Sequence, residues 1–257
     1  MILRKCHLRL RMGLTDVSDG ISFGLLGTVV ARRGDSASTI TGRKGLLLAI
    51  LLLDGGEVVP IDDIADLMSS ARATLYNSVK RLRTALGDTD ESLIEGIKPG
   101  YRINITRDQL DLAVFEDLAD AGFRAFRAGD LPTATARLRA ALAQWRGNPL
   151  GGVVLPVQLK GHVQRMEELR LQALEDLNAA YIQLGQHREA VPGLAQLTAA
   201  HPLRERPHAI YMRALHLSGR QKDAQTVYWD ICRRLNDELA AAPGPELRET
   251  YSELIRI

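Results

Sequence analysis

The sequence is poor in the features that mark several common protein classes. It has two cysteines, Cys6 and Cys232, too few and too far apart for a disulfide framework, so a reducing cytoplasmic setting is expected. Its longest apolar run, Leu46 to Leu53, is eight residues, against about 20 for a membrane-spanning helix. The run therefore predicts a buried core helix and no membrane partner. A net charge of +2 excludes a polybasic coat. From Arg32 to Asp108 eleven basic residues balance eleven acidic ones, so any basic surface must be local to one face. There is no P-loop, G-x-G-x-x-G, H-E-x-x-H or G-x-S-x-G. The six histidines are scattered, and Asp62 and Asp63 fit a helix N-terminus better than a metal. The expectation is a non-enzyme without metal or cofactor. The basic start, MILRKCHLRLRMGL, lacks the apolar stretch and cleavage site of a signal peptide. Residues 1–20 are expected to be a weakly ordered extension.

What is present is organised around Ser70 to Leu86. Leu75, Val79, Leu82 and Leu86 recur at the helical period as one narrow stripe. Asn77, Lys80 and Thr84 fall on the opposite side, with Arg72 and Arg83 on one flank and Thr74 and Arg81 on the other. An acid-free face of this kind suits the DNA major groove, where cations neutralise phosphates and Asn or Arg bonds to base edges. An ordinary solvated helix would carry the same pattern.

The neighbouring segments favour the first reading. Ile21 to Val30 is rich in β-formers, and Ala37 to Thr41 returns as a second strand. A wholly apolar helix follows from Gly42 to Leu53, stopped by Gly55-Gly56. Arg43 and Lys44 at its start either touch phosphate or are simply solvated. A helix opened by Asp62 and Asp63 is joined by a short turn to the central helix, with Ser70 as N-cap. That is the helix-turn-helix pattern. Ser92 to Glu95 and Tyr101 to Ile105 alternate as strands around Gly96–Gly100, a hairpin with Lys98 and Arg102 near its tip. The fold class expected is an α+β winged helix-turn-helix of response-regulator type over 21–105, a linker at 106–110, and an all-α domain over 111–257.

The second half contains a repeat. Gly185 and Gly219, and likewise Ala190 and Ala224, lie 34 residues apart, the tetratricopeptide period. A related unit at Gly129 precedes Gly185 by 56, so 22 extra residues interrupt the array, among them the helix-breaking stretch Gly147 to Gly152. Stacked helical hairpins bind proteins or peptides.

In this order the motifs resemble the Streptomyces antibiotic regulatory protein family. The resemblance rests on Thr74-Leu75, the run Arg81 to Gly87, and Pro99 to Arg102 in the first half. In the second half it rests on Asp111-Leu112 with Phe115, Trp145 to Gly147 with Pro149-Leu150, Glu168 to Arg170, His201 to Arg206, Ser218 to Arg220, and Pro243 to Leu247. The turn Met68-Ser69-Ser70 is shorter than the family's, and Tyr76 and Ser78 replace its common Gln and Tyr. The operator therefore cannot be borrowed from other members. The resemblance implies a bacterial transcriptional activation domain and an activator of a secondary-metabolite gene cluster. It implies binding to direct repeats beside the promoter −35 element and recruitment of RNA polymerase holoenzyme through its sigma factor and other subunits. Asn77, Lys80, Arg81 and Thr84 would read bases or phosphates; Arg72, Arg83, Lys98 and Arg102 would grip the backbone. Arg43, Lys44, Thr74 and Tyr76 complete the expected DNA-binding set. Without a dimerisation helix, protomers would meet head to tail on DNA, and residues 1–110 would suffice for operator binding. A tetratricopeptide scaffold or a repressor on the same winged helix are the rival readings.

Overall fold

The computed structural model describes residues 20–255; the expected extension over residues 1–20 lies, but for its last residue, outside them. Strands β1 (Ile21–Gly24), β2 (Val30–Arg33) and β3 (Ser36–Thr39) form an antiparallel sheet in that order. Helices α1 (Gly42–Leu53), α2 (Ile61–Leu67) and α3 (Arg72–Leu86) follow. Between α1 and α2 lies β4 (Val59–Pro60). It joins β5 (Ile94–Ile97) and β6 (Gly100–Ile103) in a second antiparallel sheet of order β4-β6-β5. The apolar stripe of α3 is buried at Leu75, Val79, Leu82 and Leu86, and α3 packs on α1, whose residues from Gly45 to Leu53 are all buried. Each such aliphatic side chain contributes about 1.5–3 kcal/mol by leaving water, which makes this packing the main constraint on how α3 lies.

Residues 21–30 do not form the single strand that their composition predicts. The chain bends after Gly24 and pairs instead with a segment more than a hundred residues later. Arg146 N–H donates to Leu26 C=O at 2.7 Å, Leu150 N–H to Leu25 C=O at 2.8 Å, and Gly151 N–H to Gly27 C=O at 2.9 Å. The carboxylate of Asp111 accepts the N–H groups of Leu25 (2.7 Å) and Leu26 (3.1 Å) and a guanidinium N–H of Arg146 (2.8 Å). Glycine at position 24 leaves room for this pair, because a Cβ there would stand 2.0 Å from the Arg146 guanidinium and displace it. The 22 extra residues of the repeat array include this segment, so their task lies with the N-terminal sheet.

The helical part comprises α4 (Asp111–Arg127), α5 (Leu131–Leu142), α6 (Val157–Gln183), α7 (His187–Ala200), α8 (Glu205–Leu217), α9 (Gln221–Leu239) and α10 (Pro245–Ile255). Gly185 and Gly219 adopt φ of 77° and 78° in the α6–α7 and α8–α9 turns, a conformation that suits glycine. Ala190 and Ala224, both buried, then let the following helix approach closely. Helices α8, α9 and α10 share a core of Met212, Leu215, Ile231, Leu235 and Leu247.

The chain forms two compact units, neither of them a single continuous stretch of sequence. One unit runs to Leu118 and takes in Ala140–Leu169; the other comprises Ala119–Arg139 and the chain from Arg170 onward. The physical reason is the buried Asp111 site above, together with Phe115 and Trp145, whose rings meet edge to face at 5.5 Å. The expected linker is likewise fixed. It holds a 3₁₀ turn over Arg107–Gln109, and Arg107 bonds to Asp117 at 2.6 and 2.9 Å. Among the described residues no helix is long and apolar enough to cross a membrane.

Candidate nucleic-acid interface

Helix α3 begins one residue later than its sequence suggests. Ala71 takes the N-cap position in extended conformation, and Ser70 hydrogen-bonds through its hydroxyl to the Thr74 hydroxyl at 2.6 Å instead of capping the helix. Arg72, in the first turn, faces an unfavourable helix dipole and is ion-paired with Asp62 of α2. Both partners are more than half exposed, so the pair is weak and solvated.

With the apolar stripe buried, Thr74, Tyr76, Asn77, Lys80, Arg81 and Thr84 are all exposed. Asn77, Lys80 and Arg81 make no side-chain hydrogen bond or ion pair among the described residues, which leaves their donors open to a ligand. Tyr76, 65% exposed, adds an aromatic ring to the same helix. Thr84 and Thr74 differ from them: their hydroxyls donate to the helix's own carbonyls, Thr84 to Lys80 at 3.0 Å and Thr74 to Ala71 at 2.6 Å. A hydroxyl engaged this way keeps its acceptor lone pairs but not its proton, so neither threonine donates to phosphate in this arrangement.

Arg83 is not part of the face. Its side chain is 11% exposed, and its guanidinium donates to the Ile94 carbonyl at 2.6 and 3.1 Å and pairs with Glu91 at 2.6 Å. Asp88, buried beside it, accepts the N–H groups of Leu93 and Ile94 at 3.0 and 2.9 Å. The two residues tie the end of α3 to β5. Asp88 and Glu91 escaped the sequence reading, although an acid following the helix-ending Gly87 was its visible signal. Arg102 also has a holding role. In the β5–β6 register it stands opposite Glu95 and bonds to it at 2.6 Å. That bond holds the Glu95 carboxyl below its ordinary range. Lys98, in contrast, is exposed in the tight turn between β5 and β6. Arg43 and Lys44 are exposed in the first turn of α1.

Arg83→Ala should therefore act on stability. Loss of its charged hydrogen bonds to the Ile94 carbonyl, with its ion pairs to Glu91 and Asp88, is expected to cost about 1.5–3 kcal/mol. Urea unfolding of the full chain checks it, and an unchanged midpoint would return Arg83 to the exposed set.

Residues 110–255 match the family model described as the bacterial transcriptional activator domain. That span starts where the Asp111 site begins and crosses both compact units. The chain is 39% identical over 247 residues to the regulatory protein AfsR of Streptomyces coelicolor, covering 93% of this chain but 24% of AfsR. It thus spans about a quarter of that relative's length. Against the regulatory protein DnrI of Streptomyces peucetius it is 32% identical over 251 residues, covering 92% of each. Among solved structures, Mycobacterium tuberculosis EmbR in complex with a low-affinity phosphopeptide superposes with a TM-score of 0.84 at 28% identity, over 92% of this chain and 65% of EmbR. On the family model and these relatives together, the chain belongs to the Streptomyces antibiotic regulatory protein family of transcriptional regulators.

Proposed function

We propose that this chain is a sequence-specific activator of a secondary-metabolite gene cluster. In this reading α1 to β6 make a winged helix-turn-helix, with α3 as recognition helix and the β5–β6 hairpin as wing. The helices from α4 onward make a tetratricopeptide-like activation domain, and the protein works in the cytoplasm at the nucleoid. The observation that carries the reading is the acid-free exposed face of α3, on which Asn77, Lys80 and Arg81 have no partner among the described residues. Asn77 and Arg81 have the donor geometry for bidentate base contacts, while Lys80 is a point charge for phosphate. Lys98 at the wing tip, with Arg43 and Lys44 at the start of α1, supplies further phosphate contacts. Arg72 joins them when it leaves its solvated pair with Asp62. Tyr76 offers its ring to a base edge or a thymine methyl.

Direct repeats near the −35 element would place two protomers head to tail about one helical turn, or ~10–10.5 bp, apart. The contact between them is heterologous. The helical part then recruits RNA polymerase holoenzyme through sigma and other subunits.

The test is a promoter-DNA titration at two salt concentrations. Arg81→Ala is expected to weaken specific binding by about 1–3 kcal/mol. Lys98→Ala should weaken binding to all sequences and lower the salt slope by about one charge. Unchanged binding by both variants would refute the assignment. Stimulation of a purified polymerase separates activation from repression on the same fold.

A further inference from the structure

Trp229 of α9 is 60% exposed, although tryptophan is costly to leave in water. It is held by two tyrosines: its ring meets Tyr228 and Tyr251 edge-on, at 5.2 and 5.7 Å between centroids, and these two stack on each other at 3.9 Å. The indole is thus fixed from beneath by α9 and α10, with one side open. At about 100° per residue, Lys222, Gln225, Arg233 and Asn236 lie within roughly 40° of Trp229 along α9. That ridge carries no carboxylate. Arg248 adds a third cation, one turn before Tyr251 on α10; burial raises the Tyr228 phenol pKa, and the Arg248 charge only partly opposes it. Neither Lys222 nor Arg248 has an ion-pair partner among the described residues. Arg233 shares Asp230 in a solvated pair along the helix.

A rigid aromatic anchor flanked by three cations, one of them in a solvated pair, matches the composition of interface hot spots, in which Trp, Tyr and Arg predominate. Its complement is an apolar notch bordered by carboxylates. Duplex DNA fits less well than one narrow acidic segment, because its phosphates would extend beyond the ridge to Asp223, Asp230 and Asp237, about 80–120° round the helix. We propose that Trp229, with Lys222, Arg233 and Arg248, is the surface on which an acidic, apolar-notched segment of the RNA polymerase holoenzyme docks. The inference rests on the reading of this chain as an activator and names where its polymerase contact lies.

The experiment uses the full chain, promoter DNA and purified holoenzyme. Trp229→Ala is expected to shift promoter DNA like the unmutated chain yet lose tenfold or more of its stimulation of transcription; Trp229→Phe should retain most of it. The pair Lys222→Glu with Arg248→Glu should raise the holoenzyme concentration for half-maximal stimulation several-fold and flatten its salt dependence. Because both sites are exposed, this pair decides the matter even if Trp229→Ala proves unstable by circular dichroism. Wild-type stimulation by all variants overturns the proposal. So does a loss of DNA binding, which would make the patch a nucleic-acid contact. An unmutated chain that shifts no promoter DNA or stimulates no transcription overturns the activator reading first, and that result is visible before any variant is made.

Discussion

Replacing Asp111 by alanine is expected to cost the N-terminal unit about 3–5 kcal/mol, the range for breaking a buried charge pair from one side. The carboxylate is 7% exposed and serves three donors at once: the backbone N–H groups of Leu25 and Leu26 and the guanidinium of Arg146. Alanine leaves two buried amides without an acceptor and Arg146 without its counter-charge. The neighbouring carbonyls of Leu25, Leu26 and Gly27 are already engaged by residues 146–151 and offer these amides no substitute acceptor. Asp111→Asn keeps an acceptor for one or both amides and should cost less. Urea unfolding of the full chain measures both, with the N-terminal transition read from the fluorescence of Trp145, which packs on Phe115 in the same unit. Operator binding should fall in step with folding. The corollary is that a fragment ending at residue 110 loses Asp111 and the 146–151 segment together and folds poorly, against the expectation that residues 1–110 suffice to bind DNA. A stable, operator-binding fragment of that length would show the Asp111 site to be dispensable.

Glu175→Ala should have an effect of similar size in the second unit. The Glu175 side chain is 1% exposed on α6. It accepts from the guanidinium of Arg204, at the N-cap position of α8, and from Arg206 in the first turn of α8 at 3.1 Å. Arg206 also bonds to Asp176, and although burial disfavours its charge, these carboxylates hold its pKa above the ordinary value. Truncating Glu175 takes the buried acceptor from both guanidinium groups and weakens the tie between α6 and α8, leaving Asp176 to hold Arg206. The expected loss is again about 3–5 kcal/mol, with Glu175→Gln intermediate. Thermal unfolding should show an earlier transition, while DNA affinity measured below that transition stays near the unmutated value. Transcription stimulation should fall before DNA binding does as temperature rises. A variant with unaltered melting would mean that Arg204 and Arg206 find other acceptors or reach water at no cost.

The central helix was legible because its evidence is local. Leu75, Val79, Leu82 and Leu86 recur at the helical period, and burying that stripe forces Asn77, Lys80 and Arg81 outward whatever else the chain does. The hairpin with Lys98 at its turn and the 34-residue spacing of Gly185 and Gly219 are local in the same sense. Arg83 was not legible in this way. A cation on the flank of a helical stripe points to solvent or to a neighbour, and the choice depends on where the backbone of Ile94 passes. Arg102 is similar: its position on β6 was readable, but its engagement with Glu95 depends on the strand register.

By itself, then, the sequence determined the kinds of element and their order: a small β-rich start, three helices with an acid-free face on the third, a hairpin, and repeating helical pairs. These follow from periodicity, turn residues and composition, all properties of neighbours in the chain. Only the tertiary structure decided that residues 25–29 pair with 146–151, that Asp111 closes that junction, and that Arg83 holds β5. It alone brought Tyr251 of α10 against Trp229 of α9. Hydrogen bonds and ion pairs between distant segments leave no period in the sequence. They form because a buried amide or charge must find a partner, and which partner is within reach is settled only when the cores have packed.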